Sequence, residues 1–135
     1  MADRPDPRVA LMAIHPKFAD AIMDGTKTVE FRKRSLADDV TKVVVYATSP
    51  IQRVVGEFGI ERTVVDAPGQ LWESFGPVGS IARADFDEYF NDRDAGVALV
   101  IGWVRKYASP KALADLDPRP AVPQSFSYVS EPTIA

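Results

Sequence analysis

The chain has 135 residues, 46% of them hydrophobic, which suits one domain with a core of its own over residues 1–135. It has no cysteine and a single histidine, which excludes disulfide frameworks, thiolate zinc sites, cysteine nucleophiles and histidine-rich metal centres. Its net charge of -3 excludes coating of nucleic acid by bulk attraction.

Residues 1–7 are polar and proline-bearing and read as a flexible N-terminus without a signal-peptide core. Residues 8–15 (RVALMAIH) are apolar on both faces and predict a buried strand. Pro16 opens a helix at the position where its missing N–H is harmless, and Asp24-Gly25 ends it. Residues 25–34 (GTKTVEFRKR) then alternate as a strand, with Thr28, Glu30, Arg32 and Arg34 on one face and Lys27, Val29 and Phe31 on the other. Residues 42–48 (KVVVYAT) form a β-branched strand stopped by Ser49-Pro50. Residues 53–65 form a longer strand, bent at Gly56 and Gly59. Helices are expected at 70–75 and 80–91, the second carrying Phe86, Tyr89 and Phe90 at i, i+3, i+4 spacing. Residues 96–107 (GVALVIGWVRKY) make a strong strand. Ser109-Pro110 then reads as the start of a helix anchored by Leu113 and Leu116. Residues 118–135 hold four prolines and read as an extended C-terminal arm. Consecutive strands without crossover helices predict an α+β fold with a mixed or antiparallel sheet. Five or six strands with bent members suit a small, partly closed β-barrel with flanking helices.

Charge is uneven along the chain. Residues 27–34 hold four basic residues against one acid, whereas residues 83–94 hold two basic residues against five acids. A lysine ammonium at Lys27 suits a phosphate or a carbonyl, and desolvation there would turn it toward proton transfer. Glu30 and Arg32 share a face, where the guanidinium fork can hold phosphate while the carboxylate reads a base donor or fixes the arginine. Each also has a plainer reading as a surface ion pair. Lys33 and Arg34 form a basic rim. His15 reads first as a hydrogen-bonded wall residue. Tyr46, Thr48 and Ser49 end a strand, where a ring can stack a base and a hydroxyl can bond phosphate. The aromatic residues of 72–90 read as core, and residues 124–128 (QSFSY) suit docking across the domain or covering a sheet edge. No nucleophile triad, P-loop or dinucleotide fingerprint is present.

Residues 14–18 (IHPKF), the spacing Gly25-x-Lys27-x-x-Glu30-x-Arg32, the segment 46–50 (YATSP) and the segment 55–57 (VGE) together resemble ASCH domains of the PUA-like group. The resemblance spans roughly residues 9–107 and implies a small β-barrel with a cleft beside the motif. It implies RNA or modified-nucleotide binding, probing Lys17, Lys27, Glu30, Arg32, Arg34, Tyr46, Thr48 and Ser49 as ligand-binding positions, in a regulatory role linked to transcription or translation. The alternative it implies is a small hydrolase, with Lys27 and Glu30 catalytic, acting on acylated nucleosides or on RNA. Acetylcytidine amidohydrolases of this family carry a threonine three residues after the motif lysine, where this chain has Glu30. A protein-interaction domain using the aromatic helices or the arm is the third reading. No cofactor, metal or membrane partner is expected, and the expectation is a cytoplasmic monomer.

Overall fold

The computed structural model describes residues 8–129 and the backbone of 133–134. The expected flexible stretch 1–7 and part of the arm, 130–132 and 135, lie outside the described residues. The elements in chain order are β1 (Val9–Ile14), α1 (Pro16–Asp24), β2 (Val29–Arg32), β3 (Lys42–Ala47), β4 (Arg53–Asp66), α2 (Pro68–Phe75), α3 (Arg83–Tyr89), β5 (Gly96–Lys111), β6 (Leu116–Asp117), β7 (Phe126–Val129) and β8 (Thr133–Ile134). Short 3-10 turns fill Gly76–Val78 and Leu113–Asp115.

Six strands form one mixed sheet in the order β2-β5-β4-β3-β1-β7, and β6 pairs with β8 beside it. Only β1 and β3 run parallel, because α1 and β2 intervene between them; all other neighbours are antiparallel. The sheet curls into the half-barrel of an α+β PUA-like fold. Its bends fall where the sequence places small residues: the β4–β5 register shifts between Val54 and Gly56 and again between Gly59 and Arg62.

Both faces of the sheet are buried, so the central strands are apolar on each side. Val43, Val45 and Ala47 of β3 meet Ala10, Met12 and Ile14 of β1 on the face covered by α1. Val44 and Tyr46 meet Val9, Leu11, Tyr107 and Leu116 on the other. A third cluster joins Val29 and Phe31 of β2 to Leu71, Phe86 and Phe90 of α2 and α3. Complete burial of a residue such as Phe58 or Leu11 contributes about 1.5–3 kcal/mol.

Two expectations are corrected. The helix foreseen after Ser109-Pro110 does not form: β5 runs on to Lys111, and only a 3-10 turn follows. The ladder is irregular just there, since Gly56 pairs with Lys106 and Val54 with Lys111. Pro110 falls inside that bulge, where a missing N–H breaks no regular bond. The helix expected over 80–91 is confined to Arg83–Tyr89.

Candidate functional site

The site begins at the C-terminus of α1. Gly25 takes the left-handed conformation, φ 86°, that ends the helix, and its N–H donates to Ile22. Asp24 accepts from the Thr26 backbone N–H at 2.9 Å and from the Thr26 hydroxyl at 2.6 Å, which tightens the turn. These bonds from Thr26 lower the Asp24 pKa. The Lys27 N–H then donates to the Ala21 carbonyl at 3.0 Å, and that of Thr28 to Val78 at 2.9 Å. The chain enters β2 only at Val29. Lys27 is thus swung out of the strand alternation and inward. The two-face reading, with Lys27 opposite Glu30, is corrected by this turn.

Lys27 is 2% exposed and Glu30 5%. The Lys27 ammonium donates to the carbonyl of Gly79, pairs with Glu30 Oε1 at 3.5 Å, and stands 4.9 Å from the Phe18 ring centre and 5.6 Å from that of Phe31. Burial lowers its pKa, and Glu30 opposes that shift. Glu30 Oε2 accepts from Arg32 Nη1 at 3.3 Å. Arg32 reaches on to the Ala13 carbonyl at 3.5 Å and the Ser125 hydroxyl at 2.5 Å. The result is a row, cation–carboxylate–cation, with Lys27 and Glu30 buried and Arg32 partly so, that carries one surplus positive charge. Gly79 can approach so closely because a side chain there would overlap the Phe31 ring.

This row lines a cavity of about 200 Å³ walled by Ile14, His15, Phe18, Phe31, Ile81 and Tyr89. His15 also caps α1, its Nδ1 accepting from the Lys17 N–H at 3.2 Å. A second, wider groove of about 630 Å³ adjoins it, lined by Arg32, Lys33, Arg34, Tyr89, Arg93, Ser125 and Phe126. Arg32 and Tyr89 line both, so the small cavity and the basic groove share a wall. The Tyr89 ring is packed under Lys33 at 4.7 Å, and burial raises its phenol pKa.

Lys27, Glu30, Arg32 and Arg34 are therefore brought together, while four other candidates stand apart. Lys17 is exposed beside Phe18 and lines neither cavity. Tyr46 is buried on the other face of the sheet, because β3 is an inner strand and its even positions face Val9, Leu11 and Tyr107. Thr48 and Ser49 belong to the turn after β3. There the Thr48 N–H donates to Ile14 and the Ser49 hydroxyl accepts from Gln52 at 3.1 Å. Contributors outside the candidate set include the Gly79 carbonyl, Ile81, Tyr89, Arg93 and Ser125. Arg93 sits in an acidic stretch whose local composition points away from a basic groove. Ser125 and Phe126 lie in the segment that suggested docking, and β7 there covers the edge of β1 while lining the groove.

A second buried carboxylate, Glu57, accepts from the Tyr107 hydroxyl at 2.8 Å and lies 3.6 Å from both Lys42 and Arg105. It ties β3, β4 and β5 together away from the cavities. Among the described residues no group of His, Cys, Asp and Glu is arranged to hold a metal ion. No helix there is long and apolar enough to cross a membrane.

No protein-family model matches the chain. The chain is 32% identical over 102 residues to an ASCH domain-containing ribonuclease of Zymomonas mobilis, covering 75% of this chain and 69% of that protein. The chain belongs to the ASCH domain family. The fold agrees: the crystal structure of ASCH from Zymomonas mobilis superposes with a TM-score of 0.84 at 26% identity, over 93% of this ASCH domain and 90% of that chain. This ASCH domain is also 32% identical over 120 residues to the large ribosomal subunit protein uL22 of Ureaplasma parvum serovar 3. The match covers 88% of the domain but only 38% of that protein's length.

Proposed function

We propose that this ASCH domain binds single-stranded RNA, seating one base in the small cavity and the neighbouring phosphates in the basic groove. The observation that carries the reading is the adjacency of the two spaces, which share Arg32 and Tyr89 as lining residues. A cavity of about 200 Å³ is below the range of drug-sized pockets and suits a single flat ring. Its aromatic walls offer a stacking surface worth about 1–3 kcal/mol per base. The groove presents Lys33, Arg34 and Arg93 to an extended phosphate backbone. Single strands fit this division of labour because their bases can be splayed out and read on their edges. A cytoplasmic, regulatory role in transcription or translation is the extension of this reading.

The test is anisotropy of a fluorescent RNA octamer titrated with the domain. Arg93→Ala, at an exposed position, is expected to weaken binding several-fold with the fold intact. Unchanged binding in Arg93→Ala and Arg34→Ala alike would remove the groove from the proposal.

Cleavage of the bound RNA is the second reading, supported by the ribonuclease among the relatives. Lys27, its pKa lowered by burial, and Glu30 beside it are the groups suited to proton transfer. An end-labelled RNA followed on a gel, with and without added magnesium, is expected to yield products that Lys27→Ala abolishes. An intact substrate with the wild-type domain would leave binding without turnover.

A further inference from the structure

The row Lys27–Glu30–Arg32 is a hydrogen-bonding edge as well as a charge cluster. Along it a donor, a carboxylate with two acceptor oxygens and a donor follow one another, the Lys27 ammonium 3.5 Å from Oε1 and Arg32 Nη1 3.3 Å from Oε2. Each member has capacity left. The ammonium has three N–H bonds and uses two, on Gly79 and Glu30. Each Glu30 oxygen has two lone pairs and receives one cation. Arg32 has five N–H bonds and its recorded partners are Glu30, Ala13 and Ser125.

We infer that the small cavity selects uracil, an inference that rests on the RNA-binding reading above. The Watson–Crick edge of uracil presents O4, N3–H and O2, that is, acceptor, donor, acceptor. This edge complements the row in its order of donors and acceptors. Cytosine presents a donor and then two acceptors, so its amino group would meet a cation and its ring nitrogen would face the carboxylate. Guanine presents one acceptor and two donors, and adenine a donor and an acceptor; each leaves a donor against Lys27 or Arg32. A phosphate is disfavoured at the same place despite the surplus positive charge, because Glu30 stands in the middle of the row. The burial of Lys27 and Glu30, with Arg32 partly buried beside them, makes mismatches costly, since an unpaired polar group there has little water to turn to.

The experiment compares fluorescein-labelled octamers of uridine, cytidine and adenosine with a uridine octamer methylated at every N3. The expected result is uridine about tenfold tighter than cytidine or adenosine, the scale of one well-made base-edge recognition. N3-methylation, which removes the central donor but keeps the flexible unstacked strand, is expected to bring the uridine octamer down to the cytidine level. Glu30→Gln places an amide donor opposite cytosine N3 and is expected to cancel or invert the uridine preference. Equal affinity for uridine and cytidine, or tight binding of the methylated octamer, overturns uracil selection and leaves RNA binding standing. No binding of any octamer overturns the RNA-binding reading itself. If Glu30→Gln does not fold, the methylated ligand decides the matter with the wild-type protein.

Discussion

At the scale of single residues, Lys27 is a costly group to bury. Its ammonium is almost wholly removed from water, and one carbonyl, one carboxylate and two aromatic faces replace the solvent. Burial is the largest influence on its pKa, which falls below the ordinary lysine value of 10.5. Between the folded value and 10.5 the unfolded chain binds more protons than the folded one, so stability contributed at this position rises with pH. That contribution is fully present above 10.5 and is lost as pH falls through the folded value. Lys27→Met keeps the length and removes the titration. Urea melts of both proteins at half-unit steps from pH 8 to 11 are expected to show wild type gaining stability relative to Lys27→Met as pH approaches 10.5 from below; parallel curves up to pH 11 would show that burial does not lower the Lys27 pKa. The motif Gly25-x-Lys27-x-x-Glu30-x-Arg32 made these residues legible as a group. The alternation rule nevertheless placed Lys27 and Glu30 on opposite faces, because it assumes a strand from Lys27 onward. The tertiary bonds from Lys27 and Thr28 to Gly79 and Val78 hold that stretch out of the sheet, and no local pattern announces a partner fifty residues away.

At the scale of elements, the turn after α1 decides where the site lies. Gly25 has φ 86°, and nothing stands within 4 Å of where a Cβ would project. The cost of Gly25→Ala is therefore conformational alone, about 1 kcal/mol after the smaller entropy of the unfolded alanine chain is counted. Asparagine tolerates this conformation better, so Gly25→Asn is expected to lose less in the same urea melts. RNA affinity should follow the order glycine, asparagine, alanine if the turn is what delivers Lys27 to the cavity. The helix end was readable from Asp24-Gly25 because both signals are local. The end of β5 was not, because Ser109-Pro110 is a sound helix start in isolation and only the β4 partner reveals a bulge that takes the proline. Arg93 escaped notice for a related reason: its neighbours Asp92 and Asp94 set the sign of the segment, while the fold turns Arg93 itself toward the groove.

At the scale of the whole molecule, the proposed RNA binding would have charge separate capture from seating. The chain carries -3, so an RNA approaching from afar meets weak repulsion, and attraction begins within a Debye length of about 8 Å of the groove. Of the four cations lining it, Arg32 is committed to Glu30 and Ser125, which leaves Lys33, Arg34 and Arg93 for phosphates. Each neutralised phosphate on a single strand contributes about -0.7 to the slope of log affinity against log salt, so three contacts give a slope near -2. Removing one phosphate contact with Arg34→Ala is expected to make the slope shallower by about 0.7 and to weaken all octamers alike. A change confined to the small cavity, such as N3-methylation of the ligand, should instead move affinity at constant slope. Titrations at four salt concentrations separate the two kinds of contact within one data set. A slope that changes equally under both perturbations would mean that base and phosphate are held by the same residues, and the division between cavity and groove would fall.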